Sequence, residues 1–367
     1  MTVELIAAAA LGAWVYLFAA RGGFWRISAP APPSRVAVGK SVCVVIPARN
    51  EESGIGQAID SLAKQAGHII VVDDHSSDRT AEIARQRDAT VVDAGPLPSG
   101  WSGKLWAISE GLRYASALAP EYLLFTDADI VHGPKNIADL IARAETEQLD
   151  LVSLMVKLEC HSAAEKLLVP AFVFFFFMLY PPAWVARRDR RTAAAAGGCI
   201  LIRPAALDRI GGIASIRGEI IDDCALARAV KRSGGRIWLG LTDETRSIRD
   251  YHSFGEIGAM ISRTAFAQLH HSAPLLLLTI LGMAVIYLAP PLLLLSGNLF
   301  ATFAGLGAWL LMTISYASAL RFYHRSLLLA PLLPAIALFY MWATVDSAIA
   351  YWSGRGGLWK DRIQDLH

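Results

Sequence analysis

Three short apolar runs constrain this chain more than anything else in it. Residues 42–46 (Val-Cys-Val-Val-Ile), 68–72 (His-Ile-Ile-Val-Val) and 121–126 (Glu-Tyr-Leu-Leu-Phe-Thr) each stop abruptly at polar or acidic residues. Between them lie amphipathic stretches at 53–65, 78–87 and 105–119, with a further apolar run at 90–92. Strands alternating with helices predict βαβ units and a parallel sheet. In such sheets ligands bind outside the carboxyl ends of the strands. Three of those ends (47–52, Asp73–Asp74 and 127–129) are polar where the run before them is not, and that coincidence predicts a site.

The last end carries Asp127 and Asp129. In an extended backbone residues i and i+2 point the same way, so the two carboxylates are expected to converge on one point. Hard carboxylate oxygens suit Mg²⁺ or Mn²⁺, which take one or two protein carboxylates plus substrate phosphates. Taken alone, the same spacing reads equally as a solvated turn.

Composition matters for what surrounds this unit. Of 367 residues 54% are hydrophobic and 18% charged, too apolar for an ordinary soluble protein. A net charge of +2 argues against a basic nucleic-acid-binding surface. Cys43, Cys160, Cys199 and Cys224 lie far apart without C-x-x-C spacing, which fits reduced structural thiols. Residues 5–20 are apolar, and Arg21, Arg26, Arg35 and Lys40 follow, the order expected of a retained anchor over 1–22 with its C-terminal side in the cytoplasm. Ala-Pro-Ala-Pro-Pro at 29–33 reads as a stiff linker into a catalytic domain over 41–270.

The apolar, aromatic segment 167–184 interrupts that domain. It is expected to be an interfacial helix docking the domain on the membrane, with Arg187, Arg188, Arg190 and Arg191 facing head groups. A core helix is the other reading. Runs at 274–296, 299–320 and 328–351 are each long enough to cross a bilayer and define a C-terminal membrane region, 274–352, before a basic tail, 353–367. Three spans leave Arg355, Lys360 and Arg362 outside, against the positive-inside tendency. A re-entrant last run at Pro331 and Pro334, or a first run split at Pro290–Pro291, would remove that conflict.

Val44-Val45-Ile46-Pro47-Ala48-Arg49-Asn50-Glu51-Glu52, Val71-Val72-Asp73-Asp74-His75-Ser76-Ser77-Asp78-Arg79-Thr80 and Asp127-Ala128-Asp129 together resemble the start of an inverting family 2 glycosyltransferase. Gly103-Lys104-Leu105-Trp106-Ala107 is similar to that family's G-K-x-x-A stretch. Gly197-Gly198 with Arg203, followed by Asp222-Asp223-Cys224-Ala225-Leu226, resembles its acceptor-side E-D-x-x-L region. The resemblance covers about residues 41 to 270. It is narrowest to the hopene-associated glycosyltransferases of hopanoid biosynthesis, through Arg263-Thr264-Ala265-Phe266 and Trp359-Lys360.

The resemblance implies an α/β fold: a GT-A, Rossmann-like, mostly parallel-sheet catalytic domain with N-terminal and C-terminal transmembrane helices. It implies a divalent metal (Mn²⁺ or Mg²⁺), a nucleotide sugar donor, UDP-linked by preference, and a lipid acceptor at a bacterial cytoplasmic membrane. By the same resemblance Pro47, Ala48, Arg49 and Glu51, with Asp73 or Asp74, hold the base and ribose. Lys104 faces the diphosphate, Asp129 with Asp127 ligates the metal, and Asp223 is the general base. Gly198 and Arg203 fall on the acceptor side. The family's processive Q-x-x-R-W is reduced at 260–264 to Arg263 alone, which implies transfer of a single sugar and leaves Arg263 for a phosphate or the acceptor; Arg246 and Arg249 are a nearby basic pair. Asp222 stands where Glu is usual, so the catalytic position is open between Asp222 and Asp223.

Plainer roles stand beside these. Asp73 or Asp74 can cap a helix, Asp222–Asp223 can offset a helix dipole, and Arg203 can pair with a nearby acid. The competing functions are a polyprenyl-phosphate glycosyltransferase of the dolichol-phosphate-mannose-synthase type and a non-catalytic membrane scaffold on the same fold. A soluble oxidoreductase is disfavoured because no G-x-G-x-x-G follows the first strand.

Overall fold

The computed structural model describes residues 2–30 and 39–356, so most of the expected linker at 29–33 and of the tail at 353–367 lies outside the described residues. Two compact units emerge, one built on a sheet (39–159 and 184–249) and one on helices (2–28, 160–183 and 250–356). Residues 160–183 and 250–270, expected inside the catalytic domain 41–270, therefore fall in the helical unit.

The sheet unit has strands β1 (Val42–Ala48), β2 (His68–Asp73), β3 (Thr90–Asp93), β4 (Tyr122–Phe125), β5 (Ile130–Val131), β6 (Leu151–Lys157), β7 (Ile200–Ile202) and β8 (Ile237–Ser247). They form one sheet in the order β3-β2-β1-β4-β7-β6-β8-β5. β3, β2, β1 and β4 run parallel, as the alternating pattern predicts; β7 is antiparallel to both β4 and β6. β6 and β8 are parallel, and β5 pairs antiparallel with β8 at the edge. The sheet is α/β, mixed and mostly parallel. β1 runs on through Pro47, which the sequence reading took as its end. Pro47 lacks an N–H, but β4 pairs only with Val42 to Val45, so no ladder bond is lost on that side.

Burial explains the strands. Every residue of β1 and β4 is buried, because parallel strands are covered on both faces. Val44, Ile46, Ile59, Leu124, Leu140 and Val152 belong to one apolar core. The helix Gly103–Ala117 packs so closely on the sheet that a Cβ at Gly111 would stand 2.6 Å from Val45 Cγ1 and 2.8 Å from Val72 Cγ2. Only glycine allows that approach. Cys43 and Cys199 are buried in this unit, and burial pushes both thiols up, to about 11 and about 12, which keeps them inert.

The helical unit contains helices long and apolar enough to cross a bilayer at Thr2–Ala19, Ala163–Val185, Ala273–Leu293, Leu299–Phe322 and Leu327–Trp352. Leu277, Leu278 and Leu281 are exposed on one of them, where an aqueous protein would carry polar residues. The segment expected at the interface, 167–184, packs part of its surface within this unit. Phe174 meets Phe24 and Tyr316, Phe175 meets Tyr287 and Tyr340, and the Tyr340 hydroxyl donates to Leu168 O at 2.9 Å. Its aromatic side chains find partners on several sides, while Phe172, Phe176 and Leu179 keep one stripe of the helix accessible. A capping box starts it: Ser162 Oγ accepts from Glu165 N at 3.0 Å, and Glu165 accepts from Ser162 N at 2.8 Å.

Candidate active site

Strand register assembles the site. Val45 is opposite Phe125, and Ala48 is opposite Asp73, so the loops after β1, β2 and β4 open at the same edge. β7 runs antiparallel with Phe125 opposite Ile200, which brings the turn before it, Gly197–Gly198, to that edge as well. Ile130 is opposite Ser247, which brings the end of β8 beside Asp129.

The loops after β1 and β2 are stitched together by side chains. Asn50 N donates to Ser76 Oγ at 3.0 Å, Glu51 N to Thr80 Oγ1 at 2.8 Å, and Glu52 N to Asp78 Oδ2 at 3.1 Å. Ala48 O accepts from Asp74 N at 2.8 Å, and Arg49 donates to Asp74 O at 2.6 Å. Asn50 and His75 both adopt left-handed backbone (φ 51° and 56°), the sharp turns that end the two strands. Asp74 is fully buried beneath Arg49 and His75. Asp73 differs: Oδ2 accepts from Ser76 N at 3.2 Å, while Oδ1 is buried with no partner among the described residues. A buried carboxylate oxygen without a donor is costly unless a ligand supplies one.

The second half of the site is a cation held among acids. Ser102 caps the helix Gly103–Ala117, which fixes Lys104 in its first turn. Lys104 Nζ lies 2.9 Å from Asp127 Oδ1 and 3.3 Å from Asp222 Oδ2. Burial opposes its charge, but Asp127, Asp222 and Asp223 outweigh that and hold the ammonium well above its ordinary range. Asp222 and Asp223 open the helix Asp222–Arg232, where acids also complement the dipole. Asp223 Oδ2 accepts from Gly197 N at 2.8 Å and Oδ1 from Cys224 N at 2.7 Å. Burial, then the neighbouring Asp222 charge, pushes the Asp223 carboxyl up to about 6, with Lys104 and the two N–H donors opposing. One cavity is lined by Pro47, Lys104, Phe125, Asp127, Gly197, Asp222 and Asp223, with Ile213, Ile216 and Leu226 among its apolar walls.

Asp127 and Asp129, expected to converge, face different cations. Asp129 Oδ2 accepts from Arg249 Nε at 2.9 Å and from Ser247 Oγ at 3.3 Å, and the same guanidinium reaches Glu51 Oε1 at 2.8 Å. The chain turns between the two acids, since Ile130 N donates to Asp127 O, so the i, i+2 rule for strands no longer applies. Arg203 is not at this edge. It ends β7, so antiparallel register places it at the start of β4, where it donates to Leu149 O, pairs with Glu145 at 3.2 Å and lies over Tyr122. The plainer role, pairing with a nearby acid, is the one it fills. Gly198 packs at 3.1–3.3 Å from Val156 and Ile130 where a Cβ would be, a close-packing position. Arg263 lies on the helix Phe254–Ala265 of the helical unit. The buried side chains Thr126, His132 and Asn136 behind the site were not anticipated. Their types carry no motif, and only the fold brings them together.

Residues 43–211 match the family model described as glycosyl transferase family 2. That stretch is a family 2 glycosyltransferase domain. Among curated relatives, 4,4'-diaponeurosporenoate glycosyltransferase of Staphylococcus haemolyticus is 36% identical over 113 residues, 30% of this chain and 29% of the relative. The Staphylococcus aureus (strain bovine RF122 / ET3-1) protein of the same name is 37% identical over 105 residues, 28% and 27% of the two chains. The similarity thus spans under a third of either relative's length. Among solved structures, the mannosyltransferase PcManGT from Pyrobaculum calidifontis, in complex with GDP-Man and Mn²⁺, superposes over 96% of this chain and 98% of its own with a TM-score of 0.55 at 20% identity. At that identity the likeness speaks to the GT-A fold alone.

Proposed function

We propose that this chain is a membrane-bound inverting glycosyltransferase that moves one sugar from a nucleotide sugar to a hydroxyl of a lipid acceptor. The observation that carries the reading is the placement of Asp223: its carboxylate lines the cavity, held by Gly197 N and Cys224 N and next to the Lys104–Asp222 pair, where burial pushes it up. A base with a pKa near working pH is what abstraction of a hydroxyl proton needs. Asp223 takes the acceptor proton as that oxygen attacks the anomeric carbon, and the departing diphosphate passes to Lys104. A single displacement inverts the centre without a covalent enzyme intermediate.

Asp73 supports the donor side. Its unpartnered buried Oδ1 fits an N–H of the nucleotide base, and the single imide N–H of uracil matches one free acceptor. Pro47 to Glu51 form the adjoining wall for the base and ribose. The chemistry of the donors also suits a divalent metal: Asp127 lines the cavity and Asp129 follows it on the same loop, each offering hard oxygens, although Lys104 and Arg249 now occupy them. Among the described residues no group of three or more His, Cys, Asp or Glu gathers into a ready cage, so phosphates and water would complete the shell. When bound, the metal neutralises charge on the leaving diphosphate.

The acceptor reading is supported by the helices of the helical unit that are long and apolar enough to cross a bilayer. A hopanoid polyol remains the first acceptor to test on sequence resemblance, and 4,4'-diaponeurosporenoate joins the panel from the relatives' name. The test is calorimetric binding of UDP- and GDP-sugars to the protein in lipid nanodiscs, with and without Mn²⁺. Metal-dependent binding of one nucleotide class, weakened in Asp73→Asn and Asp129→Ala, is expected. Absence of binding across the panel would leave only the scaffold reading.

A further inference from the structure

A buried chain of hydrogen bonds runs behind the cavity, from the helix Asn136–Thr146 to the turn that holds Asp223. Asn136 Nδ2 donates to His132 Nδ1 at 2.9 Å, and His132 Nε2 lies 2.9 Å from Thr126 Oγ1. Thr126 Oγ1 donates to Gly198 O at 2.8 Å, and the neighbouring Gly197 N donates to Asp223 Oδ2 at 2.8 Å. Thr126 is 1%, His132 4% and Asn136 6% exposed, so water cannot substitute for a missing partner.

Proton counting fixes the imidazole. Thr126 has one hydroxyl proton, and Gly198 O takes it, so Thr126 Oγ1 must accept from His132 Nε2–H. His132 Nδ1 then carries no proton and accepts from Asn136. With Asn136 turned over and Nδ1 protonated instead, Thr126 Oγ1 and Gly198 O would stand 2.8 Å apart with no proton between them. The neutral ring agrees with its burial, which pushes His132 down to about 4.

Resting on the function proposed above, we infer that His132, held as the neutral Nε2–H tautomer, is a positioning residue that sets the Gly197–Gly198 turn and through it the carboxylate of Asp223. Thr126 adjoins Asp127, and Gly197 contacts both Asp223 and the space beside Lys104, where a Cβ would stand 3.1 Å from Nζ. The relay therefore ties the acid at the end of β4 to the base on another helix without touching substrate. Gln at 132 can supply the same donor and acceptor pair, whereas Leu supplies neither.

The test uses full-length protein in nanodiscs labelled with ¹⁵N-histidine, with wild type, His132→Gln, His132→Leu and Thr126→Val. In wild type at pH 7 the signal lost in His132→Gln is expected to show a protonated Nε2 and a bare Nδ1. On acceptor-dependent nucleotide release, kcat is expected to fall about tenfold or more in His132→Leu and Thr126→Val, with donor KM within about twofold and most of the kcat restored in His132→Gln. Thr126→Val keeps the measurement decisive if His132→Leu does not fold. A protonated Nδ1, or an unchanged kcat in Thr126→Val, overturns the inference. A wild type with no acceptor-dependent release would instead count against the glycosyltransferase reading, leaving the tautomer to be judged by the nitrogen spectrum.

Discussion

Lys104 Nζ bridges Asp127 Oδ1 at 2.9 Å and Asp222 Oδ2 at 3.3 Å, so one ammonium joins the loop after β4 to the start of the helix that carries Asp223. Its side chain is only 17% exposed, and replacing it with Met leaves three acids around an apolar stem. Losing one partner of a buried ion cluster costs on the order of 3 kcal/mol. Lys104→Met is therefore expected to lower the melting temperature and abolish most turnover. Lys104 also opposes the upward shift of Asp223, so any residual activity should lose its acid limb at a higher pH than wild type.

Asp223→Asn separates catalysis from stability. The Asp223 carboxyl is raised from 3.8 to about 6, so ionising it costs more in the folded protein than in the unfolded chain. The substitution is expected to lower kcat by about 10² or more, while relief of the buried charge and loss of one acceptor for Gly197 N or Cys224 N oppose each other, so the melting temperature at pH 7 shifts little. In wild type, kcat should rise with pH through about 6 as Asp223 loses its proton. A pH–rate profile flat from 5 to 8 would remove Asp223 from the role of base.

Asp73→Asn keeps an acceptor for Ser76 N but replaces a charged oxygen at the unpartnered position. A charge-assisted hydrogen bond contributes about 1.5–3 kcal/mol, so donor affinity should fall by roughly tenfold or more with kcat little changed. Calorimetric binding of the nucleoside diphosphate alone is the check.

Arg249 neutralises Asp129 and Glu51 together, and binding of a divalent ion at Asp129 has to compete with that guanidinium. Arg249→Met should strengthen binding of Mn²⁺ alone by about tenfold, read by the loss of free-ion electron paramagnetic resonance signal. Equal or weaker binding would place the ion away from Asp129.

His132 has a folded pKa of about 4, below its unfolded value of 6.5, so its stabilising contribution is present in full above pH 6.5 and lost as pH falls toward 4. His132→Gln carries no such proton. Between pH 7 and 5 its melting temperature should fall less than that of wild type.

The parallel half of the sheet was legible in the sequence because each strand there is a fully buried apolar run that ends at polar residues. β1, β2 and β4 follow the runs at 42–46, 68–72 and 121–126 to within two residues or so at each end. The antiparallel insertion of β7 was not legible, since Ile200–Ile202 is too short to show a period, yet it is what carries Gly197 to Asp223 and Arg203 away from the site. Side-chain pairings were least legible. Asp127 and Asp129 are spaced for convergence in a strand, but the turn at Ile130 sends them to Lys104 and Arg249, a choice made by residues far along the chain. For the segment 167–184 composition records apolarity and not how many helices pack against it, so the sequence alone leaves an interfacial and a core helix both open.

The most direct measurement is acceptor-dependent nucleotide release from UDP- and GDP-sugars by protein in nanodiscs, with a hopanoid polyol and Mn²⁺, comparing wild type, Asp129→Ala and Asp223→Asn. Release of one nucleotide, matched by formation of an inverted lipid glycoside and lost in both variants, is the predicted result. Release that persists undiminished in Asp223→Asn would contradict the assignment of the base. Failure of wild type to release nucleotide with either the hopanoid polyol or 4,4'-diaponeurosporenoate, added in parallel, would contradict the proposed function as a whole.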